Sequence, residues 1–403
     1  MFSWLSPTRP GSNHNPHSSA QAEDPPPTPA APRSWPARIV ETLLADADVR
    51  LDGARPWDIR VHDDAFFAKV LLQGSLGLGE SYMDGLWTCD DLEECIYRII
   101  RGGLEHRVPS LPDLVADVAA RLANQQTRRR SLRVAERHYN LGNDLFAEFL
   151  GAYKNYSCGY FEGTSDLDVA QRQKMDLVCR KLDLRPGDRL LDVGGGWGEL
   201  ARWAAEKYGC HVTSINISDE QIRFARRHCA GLPVEIVRCD YRDVSGSFDK
   251  IAVIAMLTHV GARNYRRFME IAHRCLKPDG IMLIETVGGN VSLTHCEPWT
   301  DRYIFPGGMI PSLAQLGRAI EGLFVLEDLH NFGLSYVHTL RAWNRNFQAA
   351  WPRLSARYDE RTRRMFEYFF LAVAGAFRAR DLQHWHLVLT RPGRLPPPRV
   401  TAP

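Results

Sequence analysis

From about residue 171 onward, short apolar runs alternate with stretches whose apolar residues recur every three or four positions. The short runs suit buried strands, and the longer spacing is that of amphipathic helices. The order predicted in this way is strand 189–195, helix 197–208, strand 210–218, helix 219–230, strands 233–240 and 248–256, helix 263–276 and strand 280–288. Strands that alternate with helices predict a parallel sheet covered on both faces.

Two later apolar runs, FVLEDLHNF (324–332) and HWHLVLTR (384–391), predict a closing antiparallel pair of strands. Helical spacing between them predicts helices near 336–350 and 358–378. The most apolar stretch, FFLAVAGAF (369–377), is flanked by charges and is far shorter than the roughly 18 residues of a membrane span, so we expect a buried helix.

Before this region the pattern is mostly helical. Apolar spacing predicts helices at 36–47, 91–100 and 111–124, and over 66–87 a helix that ends in a glycine-rich turn. Alternation in WDIRVHD (57–63) predicts a strand. Pro-rich ends have too few apolar residues to offset the entropy of ordering. The predicted organisation is a disordered leader (1–36), an N-terminal domain (37–125), a basic linker (126–137), a second domain (138–392) and a disordered tail (393–403).

Composition narrows the function classes. The net charge of +2 gives no support for nucleic-acid binding. Nine scattered cysteines without a C-x-x-C pair favour a reduced, cytoplasmic protein and give no sign of a metal site.

One local cluster of basic side chains stands out from this near-neutral balance. It comprises Arg128, Arg129, Arg130, Arg133 and Arg137. The cluster fits a solvated linker helix, and it equally fits a patch that meets anionic lipid head groups, where each basic residue contributes about 1 kcal/mol.

The glycine-rich loop 194–198, in RLLDVGGGWGEL (189–200), follows the first predicted strand of the sheet. A dinucleotide loop needs a glycine at 199 and an acid near 216, where this chain has Glu199 and Asn216, and a Walker loop needs a Gly-Lys pair that is absent. With Asp240 after the third strand, the loop instead looks like an S-adenosylmethionine pocket, in which Asn216 meets the ribose and Asp240 the adenine amino group. The alternative is a turn that serves only strand–helix packing.

Six further stretches carry a specific resemblance. They are GSLGLGESYMDGLW (74–87), HYNLGNDLFAEFL (138–150), YSCGYF (156–161), RYIFPGG (302–308), HNFGLSY (330–336) and GAFRARD (375–381). Together they resemble cyclopropane-fatty-acyl-phospholipid synthases, the bacterial enzymes that methylenate lipid double bonds, from about residue 40 to 392.

The resemblance implies a Rossmann-like class I methyltransferase sheet (α/β) with helical lipid-binding insertions at 295–320 and 336–380, plus a smaller N-terminal domain. It also implies S-adenosylmethionine as cofactor, unsaturated phospholipid in a bilayer as substrate, a homodimer, and peripheral association with the inner face of the membrane. Carried over by position, the cofactor contacts are Tyr156, Ser157, Gly194, Gly196, Gly198, Asn216, Gln221, Asp240 and Tyr241.

The reaction site implied by the resemblance contains Cys158, His259 and Tyr336. In the family, the base for ring closure is a bicarbonate held by a cysteine, a glutamate, a histidine, a tyrosine and a backbone amide. In this chain the glutamate is replaced by Thr258 and the histidine by Glu285. A carboxylate at 285 would repel bicarbonate by about 4 kcal/mol at a moderate dielectric.

Three interpretations of the altered base site stay open. Glu285 is itself the base; or the site binds bicarbonate weakly and gives a methyl-branched or methylene product; or the chain binds lipid or cofactor without catalysis. Glu285 could also be a strand-end carboxylate paired with an arginine, His259 a core histidine, and Cys158 an inert small side chain.

Overall fold

The computed structural model of the chain describes residues 33–104 and 143–400. Three predicted segments lie outside the described residues: most of the leader, the helix at 111–124 and the basic linker.

The N-terminal described residues form helices around a two-stranded ribbon. The elements are α1 (Trp35–Asp46), β1 (Arg60–Val61), α2 (Ala65–Gln73), α3 (Ser75–Met83), β2 (Trp87–Thr88) and α4 (Leu92–Arg101). The strand predicted at 57–63 is shorter than expected and comprises only β1, which pairs with β2 in antiparallel fashion. The single helix predicted at 66–87 is wrong, because Gly74 adopts a φ of 56° and breaks it into α2 and α3.

The remaining described residues form one seven-stranded sheet and its helices. In chain order they are α5 (Asn143–Phe149), α6 (Leu167–Lys181), β3 (Arg189–Val193), α7 (Glu199–Tyr208), β4 (His211–Asn216), α8 (Asp219–His228), β5 (Val234–Arg238), β6 (Phe248–Ile254), α9 (Tyr265–Cys275), β7 (Leu276–Gly289), α10 (Pro298–Tyr303), α11 (Leu313–Ile320), β8 (Val325–Asn331), α12 (Gly333–Leu354), α13 (Glu360–Arg378) and β9 (Leu382–Thr390). The predicted alternation of strands and helices is confirmed.

The strand order of the sheet is β5-β4-β3-β6-β7-β9-β8, with β3 to β7 parallel. The predicted antiparallel pairing of the last two strands is confirmed. The sequence did not reveal that β9 also inserts beside β7, where Glu285 pairs with His386 and Val287 with His384. This register brings two histidines next to a carboxylate in the middle of the sheet.

Helices α12 and α13 pack between the sheet and the N-terminal elements. Helix α13 approaches α4 so closely that a Cβ on Gly375 would lie 2.8 Å from the carbonyl oxygen of Glu93. The Glu93 carboxylate, 5% exposed, accepts hydrogen bonds from Arg341 and Arg378 at 2.7 to 2.9 Å. One hydrophobic core therefore extends from α1 to α13.

The FFLAVAGAF stretch lies in α13, and its Phe369, Phe370 and Phe377 are buried, as predicted. Within the described residues, no helix has both the length and the hydropathy that crossing a membrane requires.

Candidate active site

The glycine loop lies at the carboxyl end of β3, between this strand and α7. Gly194, Gly196 and Gly198 all have positive φ, at 82°, 53° and 89°, so the turn depends on residues without a side chain. The amide of Gly194 donates to the carbonyl of Ile215 at 2.9 Å, which ties the loop to β4. The backbone is thereby bare at the edge of the sheet where ligands of such folds bind.

Gly195 is restricted for a different reason, since its φ is not positive. A Cβ at this position would lie 1.8 Å from the hydroxyl oxygen of Ser214 and 2.5 Å from a carboxylate oxygen of Asp192. Ser214 donates to this buried carboxylate at 2.9 Å. Burial raises the pKa of Asp192 to about 6, and the hydroxyl and the Lys174 charge oppose that rise.

Asn216 ends β4 and is held by its neighbours. Its amide donates to the carbonyl of Gly196 at 3.1 Å and to the side-chain oxygen of Gln221 at 2.9 Å. Its own oxygen accepts from the amides of Ile217 and Ser218. Two of the predicted cofactor residues therefore form one preorganised unit with the glycine loop.

Asp240 and Tyr241 follow β5 at the rim of the same site. The Asp240 carboxylate accepts from the backbone amide of Arg242 at 2.9 Å and from its guanidinium at 2.8 Å. The Tyr241 hydroxyl is buried and has no hydrogen-bond partner among the described residues. This orphaned hydroxyl and the bare loop backbone fit a polar, adenosine-sized group.

Tyr156 and Ser157 approach the loop from the segment between α5 and α6. The Tyr156 ring packs 5.3 Å from Phe146 and 5.4 Å from Trp343, between centroids. The Ser157 hydroxyl accepts a hydrogen bond from Nζ of Lys174 at 2.7 Å. Lys174 on α6, which sequence reasoning missed, is 2% exposed and links the cofactor residues to the interior of the sheet.

These residues face a single cavity of about 860 Å³. Ten of the thirteen predicted site residues line it; Gly198, Cys158 and Glu285 do not. The cavity continues past the reaction site to walls made of apolar side chains. They include Val40, Leu44, Ile59, Phe66, Leu78, Ile96, Ile100, Leu340, Phe369, Ala372 and Val373.

The cavity is also lined by Thr258, His259 and Tyr336. Burial lowers the pKa of His259 to about 4, so its imidazole is neutral near pH 7. The ring of Tyr336, on α12, packs 4.8 Å from Phe377 in a tilted arrangement and 5.1 Å from His384 edge to face, between centroids. Its pKa lies well above the usual range, because of burial and the nearby Cys158 and Glu285.

Cys158 is fully buried behind the cavity wall. Its Sγ lies 3.1 Å from the carbonyl of Gly159 and 3.9 Å from the hydroxyl of Thr339. Burial and the Glu285 charge hold its pKa well above the usual range, so the group is a thiol and not a thiolate. Its place in the reaction site stays a prediction.

Glu285 on β7 is fully buried and is surrounded by nitrogen donors, none of them an arginine. Nε2 of His386 lies 2.9 Å from one carboxylate oxygen. The other oxygen lies 3.4 Å from Nε2 of His384 and 3.9 Å from Nζ of Lys174. Although burial opposes ionisation, Lys174 and the two histidines bring the pKa of Glu285 well below its usual range.

His384 and His386 are functional candidates that sequence reasoning missed. The signal was available in QHWH (383–386), because residues two apart on a strand point to the same face. Burial lowers the pKa of His386 to about 4, against the opposing effect of Glu285, so His386 is a neutral hydrogen-bond donor. His384 lines the cavity, while Glu285 and His386 stand behind it.

A model of the mycolic acid cyclopropane synthetase family matches residues 126–387 of the chain. The chain belongs to this family. The cyclopropane-fatty-acyl-phospholipid synthase of Escherichia coli K12 is 45% identical over 355 residues, covering 88% of this chain and 93% of that enzyme. The tuberculostearic acid methyltransferase UfaA1 of Mycobacterium tuberculosis is 31% identical, with 82% of each chain covered.

Solved members of the family share the fold. The mycolic acid cyclopropane synthase CmaA1, in a crystal structure with SAH and CTAB, has a TM-score of 0.60 and 27% identity. The match covers 64% of this chain and 98% of CmaA1. The predicted resemblance and the Rossmann-like methyltransferase fold are both confirmed.

Bicarbonate, which the resemblance implies as the base, does not fit the residues present. The Glu285 carboxylate already occupies the position between Lys174, His384 and His386 and would repel a second anion. The Thr258 hydroxyl is neutral and faces the carbonyl of Ala255 at 3.5 Å.

Proposed function

We propose that the protein is a cyclopropane-fatty-acyl-phospholipid synthase, which adds a methylene group to the cis double bond of unsaturated phospholipid acyl chains. One observation carries the proposal: a single cavity joins the glycine loop 194–198 to a long apolar compartment. The high identity to the Escherichia coli enzyme over almost its whole length supports it.

S-adenosylmethionine, when bound, supplies the electrophilic methyl group. It would be held by the loop Gly194–Gly198 and by Tyr156, Ser157, Asn216, Gln221, Asp240 and Tyr241. Because an alkene is a weak nucleophile, these residues must align the two reactants, and alignment in a dry site can supply roughly 7–11 kcal/mol. The aromatic face of Tyr336 is suited to stabilise the carbocation that follows methyl transfer.

The rim of the cavity supports access from a lipid surface. Val291 and Leu293 line the cavity and are 60% and 47% exposed. Exposed apolar side chains at a cavity mouth favour contact with a bilayer. We propose that the protein works as a homodimer, peripherally bound to the inner face of the membrane.

The experiment is an incubation of purified protein with dioleoyl-phosphatidylglycerol vesicles and methyl-labelled S-adenosylmethionine. Mass spectrometry of the lipids then distinguishes a cyclopropane chain from a methyl-branched or methylene chain made from the same oleoyl chain. Vesicles of a saturated lipid are the matched control and should gain no label. Labelled ring product confirms the proposal, whereas labelled non-ring product shows a methyltransferase without ring closure.

Binding of the cofactor without any labelled lipid would contradict the proposal and favour a catalytically silent lipid-binding protein. Calorimetry with S-adenosylmethionine provides that comparison. Light scattering measures the oligomeric state, and flotation with vesicles measures membrane contact.

A further inference from the structure

We propose that His384 is the base that accepts the proton in ring closure, and that Glu285 is a positioning residue which orients His384. The inference rests on the proposed function and names a catalytic residue within the same site. It replaces the interpretation in which Glu285 itself takes the proton, because Glu285 does not line the cavity and His384 does.

The surroundings of the His384 ring assign its two nitrogens. Nε2 faces the Glu285 carboxylate at 3.4 Å, which favours the tautomer with the hydrogen on Nε2. Nδ1 then carries the lone pair. Both ring nitrogens are buried without a hydrogen-bond partner among the described residues, and the 3.4 Å approach of Nε2 to Glu285 is an ion-pair distance that alone distinguishes the two. A buried, unpartnered acceptor in a cavity wall is costly unless a substrate uses it.

Aromatic rings hold His384 in its orientation. Its ring packs 4.8 Å from Phe332 and 5.1 Å from Tyr336, between centroids. The second carboxylate oxygen of Glu285 is fixed by His386, and Lys174 lies 3.9 Å from the first. A base oriented by a carboxylate that is itself hydrogen-bonded has the arrangement that general-base catalysis requires.

The proposed step balances without a further reactant. Methyl transfer leaves a carbocation on one former alkene carbon, and the new methyl group is attached to the other. One C–H bond of that methyl breaks, and its electron pair forms the C–C bond that closes the ring. The proton moves to Nδ1 of His384, and the Glu285 carboxylate stabilises the resulting imidazolium.

The test compares wild type with His384→Leu on dioleoyl-phosphatidylglycerol vesicles, in buffer freed of carbon dioxide. Release of S-adenosylhomocysteine reports methyl transfer, and mass spectrometry reports how much of the lipid product carries the ring. Wild type should form the ring without added bicarbonate. In His384→Leu we expect ring formation to fall about 10²–10⁴-fold, the usual contribution of a general base, while methylated non-ring lipid is still made.

Two further variants separate a chemical role from a structural one. Imidazole added to His384→Gly should restore ring formation, which repair of packing alone would not do. Glu285→Gln should lower the ring fraction in the same direction, and imidazole should not restore it. His330→Gln is the matched control, since the His330 ring lies 6.4 Å from His386 but His330 does not line the cavity.

Each outcome is decisive. Retained ring formation in His384→Leu, or a wild-type enzyme that closes the ring only after bicarbonate is added, overturns the assignment of His384 and leaves the proposed function intact. If wild type labels no lipid under either condition, the proposed function and this inference both fail. Loss of all methyl transfer in His384→Leu, with cofactor binding preserved, overturns the inference because a base for the last step cannot control the first.

Discussion

The ion pair between Lys174 and Glu285 allows a quantitative test of the buried cluster. Both side chains are essentially inaccessible to solvent, and their charged atoms lie 3.9 Å apart. We consider Lys174→Met and Glu285→Gln, which remove each charge with little change in volume. Each single variant leaves the other charge buried without its partner.

The magnitude follows from the distance. At an effective dielectric of about 20, two charges 3.9 Å apart attract by about 4 kcal/mol. Removal of one partner of a buried pair costs about 3–5 kcal/mol, whereas removal of both is far less costly. The double variant should therefore be more stable than the sum of the single effects by about 4 kcal/mol. Lys174→Met also removes the hydrogen bond from Lys174 to Ser157, which is worth about 1 kcal/mol. This loss occurs both in the single variant Lys174→Met and in the double variant.

Urea unfolding followed by tryptophan fluorescence measures the four free energies of the cycle. Lys181 on the same helix supplies the control, because its partner Asp328 is 48% exposed and the coupling should be at most about 1 kcal/mol. A coupling of that small size for Lys174 and Glu285 would refute the reasoning. It would mean that the cluster is hydrated or that Glu285 is protonated.

Three other variants test the site. Gly195→Ala should cost about 1–3 kcal/mol of stability and weaken calorimetric binding of S-adenosylmethionine, because its Cβ would lie 1.8 Å from the Ser214 hydroxyl; unchanged binding contradicts this. The pKa of His386 is about 4 in the folded protein, against an ordinary value of 6.5 in the unfolded chain. As the pH falls, the unfolded chain therefore takes up the proton first, and the free energy of unfolding decreases between about pH 6.5 and pH 4. His386→Asn should reduce the slope of that urea-midpoint profile without abolishing it, because His259 also has a pKa of about 4 and contributes in the same direction. Asp192, with a pKa of about 6, opposes the slope in both proteins. Ala372→Trp should obstruct the apolar part of the cavity and lower turnover of long acyl chains without changing cofactor affinity; equal loss with a short-chain lipid would argue against this role.

The sequence predicted the site best where local pattern determines structure. The strand–loop–helix around Gly194–Gly198 follows from an apolar run, glycines and helical spacing, and Asn216 and Asp240 follow because parallel strands end at the same edge. Over 66–87 the sequence predicted a helix that ends in a glycine-rich turn, but the second helix after Gly74 was missed because apolar spacing continues through the break. A glycine in such a pattern is compatible with either a continuous helix or a turn.

The cluster around Glu285 could not be predicted in the same way. Its members lie on α6, β7 and β9, far apart in the chain, and they meet only because β9 inserts between β7 and β8. Periodicity shows that a strand exists, but the order of strands in a sheet is a long-range property. The two histidines of β9 were visible in the sequence, whereas their proximity to Glu285 was not.

The departures from the family pattern become consistent once this neighbourhood is known. The resemblance expects a carboxylate at 258 and an imidazole at 285; this chain has the carboxylate at 285 and imidazoles at 384 and 386, across the β7–β9 pair. Without the histidines, one buried oxygen of Glu285 would lose its hydrogen bond from His386 and the other would keep only Lys174 at 3.9 Å; without Glu285, His386 would lose its acceptor. In the proposed mechanism the carboxylate at 285 and the imidazole at 384 perform the proton transfer together, and no external anion takes part.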